Sequence, residues 1–286
     1  MRTLIAASLV ALAAVGWVTA AQDTPLPGAS GSVKFAVIGD NGTGAAAQYE
    51  VGRQMATARE RFPFEFVIML GDNMYGRQRP QDYIDKFERP YARLLQAGVP
   101  FFAALGNHDD HDQRFYKGFN MGGERYYTFA RPNVRFFIFD TNLMDKPQIA
   151  WIDRQLSDAR EEWKIAYYHH PLYSDAMHGS NVELRVILEP LLVKYGVPVT
   201  FAGHEHVYER TAPLKGIVHF IDGSGGQLRK GDISPSAMTA VAFDQDQTFM
   251  LIEIVGDDLF FQAISRTGRV VDSGVIHRDD VGGRRS

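Results

Sequence analysis

The sequence predicts an α/β domain in which two β-sheets pack as a sandwich with helices outside. Three observations carry that expectation. Apolar runs of strand length alternate with helical stretches as far as His206, the pattern of βαβ units. Several runs are apolar at nearly every position, as in strands covered on both faces. Beyond His206 the chain turns into short strands joined by polar turns such as Asp-Gln-Asp-Gln and Gly-Asp-Asp.

The elements follow in order. Arg2, an apolar stretch over 4–18 and the small residues Val18-Thr19-Ala20-Ala21 predict a secretory signal peptide over 1–20, cut after Ala20 or Ala21. That stretch is shorter than the ~20 apolar residues a spanning helix needs. The mature chain is therefore expected to be secreted or periplasmic and not held by a membrane. Residues 21–32 read as a linker, 33–278 as the catalytic domain and 279–286 as a flexible tail. A strand at 33–39 runs into the turn Gly39-Asp40-Asn41-Gly42-Thr43-Gly44, then a helix at 45–61, a strand at 66–70, a helical pattern at 80–96 and a strand at 101–105. Segments 126–130 and 134–140 form a hairpin-like pair around Arg-Pro-Asn. Helices at 147–160 and 182–195 precede strands at 164–168 and 199–202. Short strands follow at 217–221, 240–243, 249–255, 259–265 and 269–276.

A formal charge of −4 and a pI near 6.1 give no general field for nucleic acid or an anionic membrane. The chain has no cysteine, which excludes disulfides and thiolate ligands. Any metal must be held by oxygen and imidazole.

Five apolar runs end in residues that can bind metal: VKFAVIGDNG, FVIMLGDNMY, VPFFAALGNHD, WKIAYYHHP and VPVTFAGHEH. Parallel strands deliver their last side chains to one edge, where open α/β sheets place their sites. The residues delivered are Asp40, Asp72, Tyr75, Asn107, His169, His204 and His206. An aspartate after glycine is, taken alone, an ordinary turn former. The ordered co-occurrence of these five blocks is what carries the chemistry.

In order and type, GDNG, GDNMY, GNHD, HHP and GHEH resemble the blocks of the small, single-domain purple acid phosphatases among the calcineurin-like metallophosphoesterases. The match runs from Asp40 to Arg210, and GHEHVYER at 203–210 is close to the family's GHxHxYER. The resemblance implies a four-layer αββα sandwich of two mixed sheets flanked by helices, with a binuclear metal site at its edge. Most metallophosphoesterases begin with D-x-H, whereas here the residues are Asp40-Asn41-Gly42. Tyr75 can supply the missing ligand as a phenolate. A free phenol has a pKa of about 10, so a strong Lewis acid must hold it ionised. Hard anionic oxygens suit a hard cation, so Asp40, Asp72, Tyr75 and His206 are expected to hold Fe(III). A second ion, resembling the family's divalent site, would take Asp72, Asn107, His169 and His204, with Fe, Zn or Mn equally acceptable. In His169-His170-Pro171 the family pattern selects His169, and strand alternation turns His170 to the other face.

His108 is expected to face the phosphate or leaving group, with Asp109 fixing its tautomer. His178 shares the spacing of the family's leaving-group histidine. His111 reads as a rim residue, and His219 and His277 as structural. Asp222-Gly-Ser-Gly-Gly is expected to turn near the site, with Tyr208, Glu209 and Arg210 supporting the metals from behind. The implied activity is a secreted acid phosphatase, hydrolysing small phosphate monoesters by attack of metal-bound hydroxide. The alternatives are a phosphodiesterase on the same metals and a non-catalytic iron- or phosphate-binding surface protein. A protein Ser/Thr phosphatase fits less well, because D-x-H is absent and the chain reads as exported.

Overall fold

The computed structural model describes residues 23–281; the expected signal peptide, its cleavage point and residues 282–286 lie outside them. The first strands are β1 (Val33–Ile38), β2 (Phe66–Met69) and β3 (Phe101–Ala103), followed by the hairpin β4 (Tyr127–Arg131) and β5 (Val134–Ile138). Then come β6 (Trp163–Tyr167), β7 (Val199–Ala202), β8 (Tyr208–Thr211), β9 (Val218–Asp222) and β10 (Thr239–Phe243). The last three are β11 (Thr248–Val255), β12 (Asp258–Ser265) and β13 (Val270–His277). They form a six-stranded sheet, β13-β12-β11-β1-β2-β3, and a seven-stranded sheet, β10-β8-β9-β7-β6-β5-β4. Both are mixed: β1 pairs parallel with β2 and antiparallel with β11.

Strand alternation builds the layers. Phe35 and Val37 face the space between the sheets, where Phe35 stacks on Phe66 at 5.3 Å and meets the Phe136 edge at 5.2 Å. Ala36 and Ile38 face outward onto Val51 and Met55 of helix α1 (Ala46–Arg61). On the other outer face, Phe137 and Ala166 meet Ile152 and Leu156 of α4 (Lys146–Asp158) and Leu188 of α5 (Val182–Lys194). Helix, sheet, sheet, helix is the expected four-layer order.

One expectation changes, and the segments at the two ends of the domain make contacts of their own. The helical pattern at 80–96 is broken into α2 (Pro80–Tyr83), a wider turn at Ile84–Glu88 and α3 (Ala92–Gln96). Pro90 lies at the break; it has no N–H to donate, and its ring clashes with the preceding turn. The expected linker is strapped to the sheet: Gly28 N and Ala29 N each donate to Glu253 at 2.7 Å, and Thr24 N donates to Ser273 Oγ at 2.8 Å. Of the expected flexible tail, Val281 is buried against the core.

Candidate metal centre

Parallel pairing of β1, β2 and β3, and of β6, β7 and β9, brings their C-terminal ends to one edge of the sandwich. Asp40 follows β1, Asp72 follows β2, Asn107 follows β3, His169 follows β6, and His204 and His206 follow β7. The chain must turn sharply at that edge, and Asp40, Asp72 and His204 take left-handed backbone with φ of 52, 50 and 70°. Such conformations cost ~1–3 kcal/mol each and persist where the surroundings over-determine them. Here Asp40 N donates to Gly71 O at 3.0 Å, and Asp40 Oδ2 accepts from His204 N at 2.8 Å. The glycines before the ligand residues make room for the opposite strand end. A Cβ on Gly106 would run into Asp72 Oδ1, and one on Gly203 into Asp40 Oδ2.

The seven expected ligand residues fall into two groups that share Asp72. In the first, Tyr75 Oη lies 3.0 Å from Asp40 Oδ1 and 3.0 Å from His206 Nε2, with His206 Nε2 3.4 Å from Asp40 Oδ1. Asp72 closes the group, with its ligand atom within 4.8 Å of those on Asp40 and His206. In the second, Asn107 Oδ1 lies 2.9 Å from His169 Nε2 and 3.0 Å from His204 Nδ1, and the two nitrogens are 3.2 Å apart. Asp72 Oδ1 is 3.5 Å from His169 Nε2. His170 is not turned fully away: it also brings a ring nitrogen within 4.8 Å of those of His169 and His204. Strand β6 ends at Tyr167, so alternation no longer governs these residues. His170 Nδ1 is engaged at 3.0 Å by Thr141 Oγ1.

Electrostatics decides what this donor set fits. Burial and the Asp72 carboxylate push Asp40 well above the ordinary carboxylate range. Among the described residues no lysine or arginine nitrogen lies within 4.0 Å of either carboxylate. Buried anions without a protein counter-charge call for a bound cation. Burial and the two carboxylates also drive the Tyr75 phenol far upward, so it becomes a phenolate only beside a highly charged ion. Burial holds His204 at about 2 and His206 at about 4, and lowers His169 well below its usual value. The imidazoles are therefore neutral, the form that coordinates. Two cations fit this edge.

The expected catalytic residues divide differently. His108 is half exposed, with its ring 4.9 Å from that of Tyr75 and its amide donating to Asp72 Oδ1 at 2.9 Å. Asp109 does not orient the His108 ring. Its carboxylate accepts from Gly106 N at 2.8 Å, Met74 N at 3.0 Å and Gln113 Nε2 at 2.7 Å, tying the second strand-end loop to the third. The carboxylate–imidazole pair lies elsewhere: Glu205 Oε2 is 3.2 Å from His178 Nδ1, and the His178 ring lies 4.4 Å from that of His204. Sequence reading missed Glu205, although an acid between two ligand histidines in GHEH is the signal that would have found it.

His111 sits in an exposed 3₁₀ turn, His219 Nδ1 is 2.8 Å from Thr200 Oγ1 inside the second sheet, and His277 pairs with Asp258 at the surface. Tyr208, Glu209 and Arg210, expected behind the metals, form an unforeseen strand, β8, with other duties. Tyr208 Oη and Arg210 Nε donate to Asp272 Oδ2 at 2.8 and 2.7 Å, clamping one sheet to the other. Glu209 accepts from Ser174 Oγ at 2.7 Å and Asp175 N at 3.1 Å, holding the loop that carries His178. The turn at 222–226 does pack beneath the site, since a Cβ on Gly223 would stand 2.8 Å from Asp40 Oδ2.

Comparison with known proteins places the chain among phosphoesterases. The family model for calcineurin-like phosphoesterases matches residues 33–208. The rabbit (Oryctolagus cuniculus) tartrate-resistant acid phosphatase type 5 is 29% identical over 241 residues, covering 69% of this chain and 74% of that protein. The pig (Sus scrofa) protein of that name is 27% identical, with 93% of this chain and 92% of its own length covered. Among solved structures, a purple acid phosphatase from yellow lupin (Lupinus luteus) superposes with a TM-score of 0.70 at 22% identity, over 88% of this chain and 55% of that one. The Plasmodium inner membrane complex anchor superposes at 0.75 and 18% identity, over 86% of this chain and 89% of that one, which speaks for the fold alone. On the family match, which spans well over half of its length, the chain belongs to the calcineurin-like phosphoesterase family and is a hydrolase.

Proposed function

We propose that this protein is an exported acid phosphatase that hydrolyses small phosphate monoesters at acid to near-neutral pH. The observation that carries the reading is the Tyr75 hydroxyl, 3.0 Å from both Asp40 Oδ1 and His206 Nε2. A phenol among carboxylates suits a hard trivalent ion, so Asp40, Asp72, Tyr75 and His206 would hold Fe(III). Asp72, Asn107, His169 and His204 would hold Fe(II), Zn(II) or Mn(II). The rabbit and pig relatives, named tartrate-resistant acid phosphatases, support the acid phosphatase reading. Two cations bound here supply charge neutralisation at phosphate oxygens and activation of water.

The chain's own residues do the rest. Glu205 accepts from His178 Nδ1 and leaves Nε2 to deliver a proton to the leaving alkoxide oxygen. The half-exposed His108 stands over Tyr75 and orients the phosphate. Segment 1–20 is removed on export to the periplasm or medium, and 33–278 carries the activity. Among the described residues no helix is long and apolar enough to cross a membrane.

Metal analysis with an optical spectrum tests the core of this reading. The purified protein should carry iron and a visible phenolate-to-iron band, and Tyr75→Phe should lose the band while its circular dichroism is unchanged. A fully loaded, colourless wild-type protein would refute the ferric assignment. Turnover of an aryl diester faster than an aryl monoester would refute the substrate class.

A further inference from the structure

Arg229 lies outside every motif of the sequence. The turn at 222–226 brings it back over the site, where its amide donates to His206 O at 3.0 Å. Its Nη1 sits 3.3 Å from His178 Nδ1, the same nitrogen that lies 3.2 Å from Glu205 Oε2. A carboxylate only accepts, so that nitrogen carries its proton and donates to Glu205. A guanidinium only donates. The two donors therefore gain no hydrogen bond from each other, and Arg229 is left with its charge directed at the site. Other arginines close to buried carboxylates are matched: Arg210 is bound to Asp272 and Arg125 to Asp140. No aspartate or glutamate oxygen among the described residues lies within 4.0 Å of the Arg229 guanidinium. An arginine without a counter-charge beside a phosphate-handling site is a ready partner for a planar or tetrahedral oxyanion.

Beside His178 opens a cleft of about 410 Å³ lined by His170, His178, Ser180, Asn181, Glu183 and His204. Bordered by His178 and His204, it would receive the group that departs from phosphorus. His178 lines the cleft and touches Arg229, which does not itself line it, so the guanidinium would meet an anion only at the His178 end of that space. We propose that Arg229 is a specificity-determining residue that binds a second anionic group on the leaving group. The favoured substrates are then phosphate compounds whose leaving group is itself anionic, a second phosphoryl or a carboxylate. The inference rests on the phosphatase reading above for the identity of the scissile group.

The test compares kcat/KM on p-nitrophenyl phosphate, pyrophosphate and 3-phosphoglycerate for metal-loaded wild type, Arg229→Gln and Arg229→Lys. Loss of one charge-assisted hydrogen bond corresponds to roughly a tenfold change or more. In Arg229→Gln the kcat/KM ratio of an anionic-leaving-group substrate over p-nitrophenyl phosphate should fall by about that factor, chiefly through KM, and Arg229→Lys should recover part of it. A fall confined to pyrophosphate assigns the contact to a phosphoryl group; one confined to 3-phosphoglycerate assigns it to a carboxylate. An unchanged ratio for both overturns the proposal. Calorimetry with methylenediphosphonate and methylphosphonate gives a readout without turnover. Arg229→Gln should weaken the first about tenfold more than the second, and equal weakening overturns the proposal even if the wild type releases no phosphate. That last result, by itself, sinks the phosphatase reading instead.

Discussion

At the scale of single residues, the centre is built by pairs that the sequence does not advertise. Asp109 stands next to His108 in the chain, yet its oxygens are spent on Gly106, Met74 and Gln113. Glu205 is 27 positions from His178, and its carboxylate is the one that orients an imidazole. Adjacent residues diverge at such a turn while distant loops converge, so neighbourhood in sequence was the wrong guide. This assigns a checkable role to Glu205. Glu205→Gln should lower kcat on phenyl phosphate by roughly 10–100-fold, the size of losing an outer partner that orients a working imidazole, and on p-nitrophenyl phosphate by much less. The nitrophenolate leaves without needing a proton, so equal losses on both esters would remove His178 from the proton transfer. The residues that the structure gathers at the strand-end edge were legible, because Asp40, Asp72, Asn107, His169 and His204 each follow an apolar run. Arg229 carried no signal, since it ends no strand.

At the scale of elements, the strands were visible in their apolar runs, while the helical pattern at 80–96 concealed the break at Pro90. Strand β8 was hidden for another reason. Tyr208-Glu209-Arg210 is polar by composition and becomes a strand only by pairing between β10 and β9. Its side chains then act at a distance, Glu209 on the His178 loop and Tyr208 with Arg210 on Asp272 of β13. Asp272→Ala removes the acceptor of both and strands a largely buried guanidinium. It should cost about 2–4 kcal/mol in chemical denaturation. Metal content at neutral pH should change little, because Asp272 lies on the edge strand β13, three places from β1 in its sheet; a loss below 1 kcal/mol, within the reach of an ordinary surface pair, would show that the sheets do not depend on it.

At the scale of the whole molecule, two sheets present their C-terminal edges side by side, and a protein expected to work in acid must keep them packed. His219 limits that. Burial within the second sheet holds its imidazole down at about 4, against an ordinary value near 6.5. Its Nδ1 bonds Thr200, Tyr173 packs its ring 5.1 Å away, and the Glu189 carboxylate acts in the opposite sense. The unfolded chain thus binds a proton that the folded one refuses between pH 6.5 and 4. Stability is full above that window and falls as pH drops through it, by on the order of 3 kcal/mol at most. His219→Gln should flatten the slope of unfolding free energy between pH 7 and 4.5, and an unchanged slope would show that other groups set the acid limit. The sequence by itself determined the layer order, the strand ends and the oxygen- and imidazole-only ligand set, because apolar periodicity and residue chemistry are local properties. Only the tertiary structure decided which carboxylate meets which histidine, which strand the YER segment joins and where Arg229 points. Those are distances between residues far apart in the chain, set by how the two sheets pack.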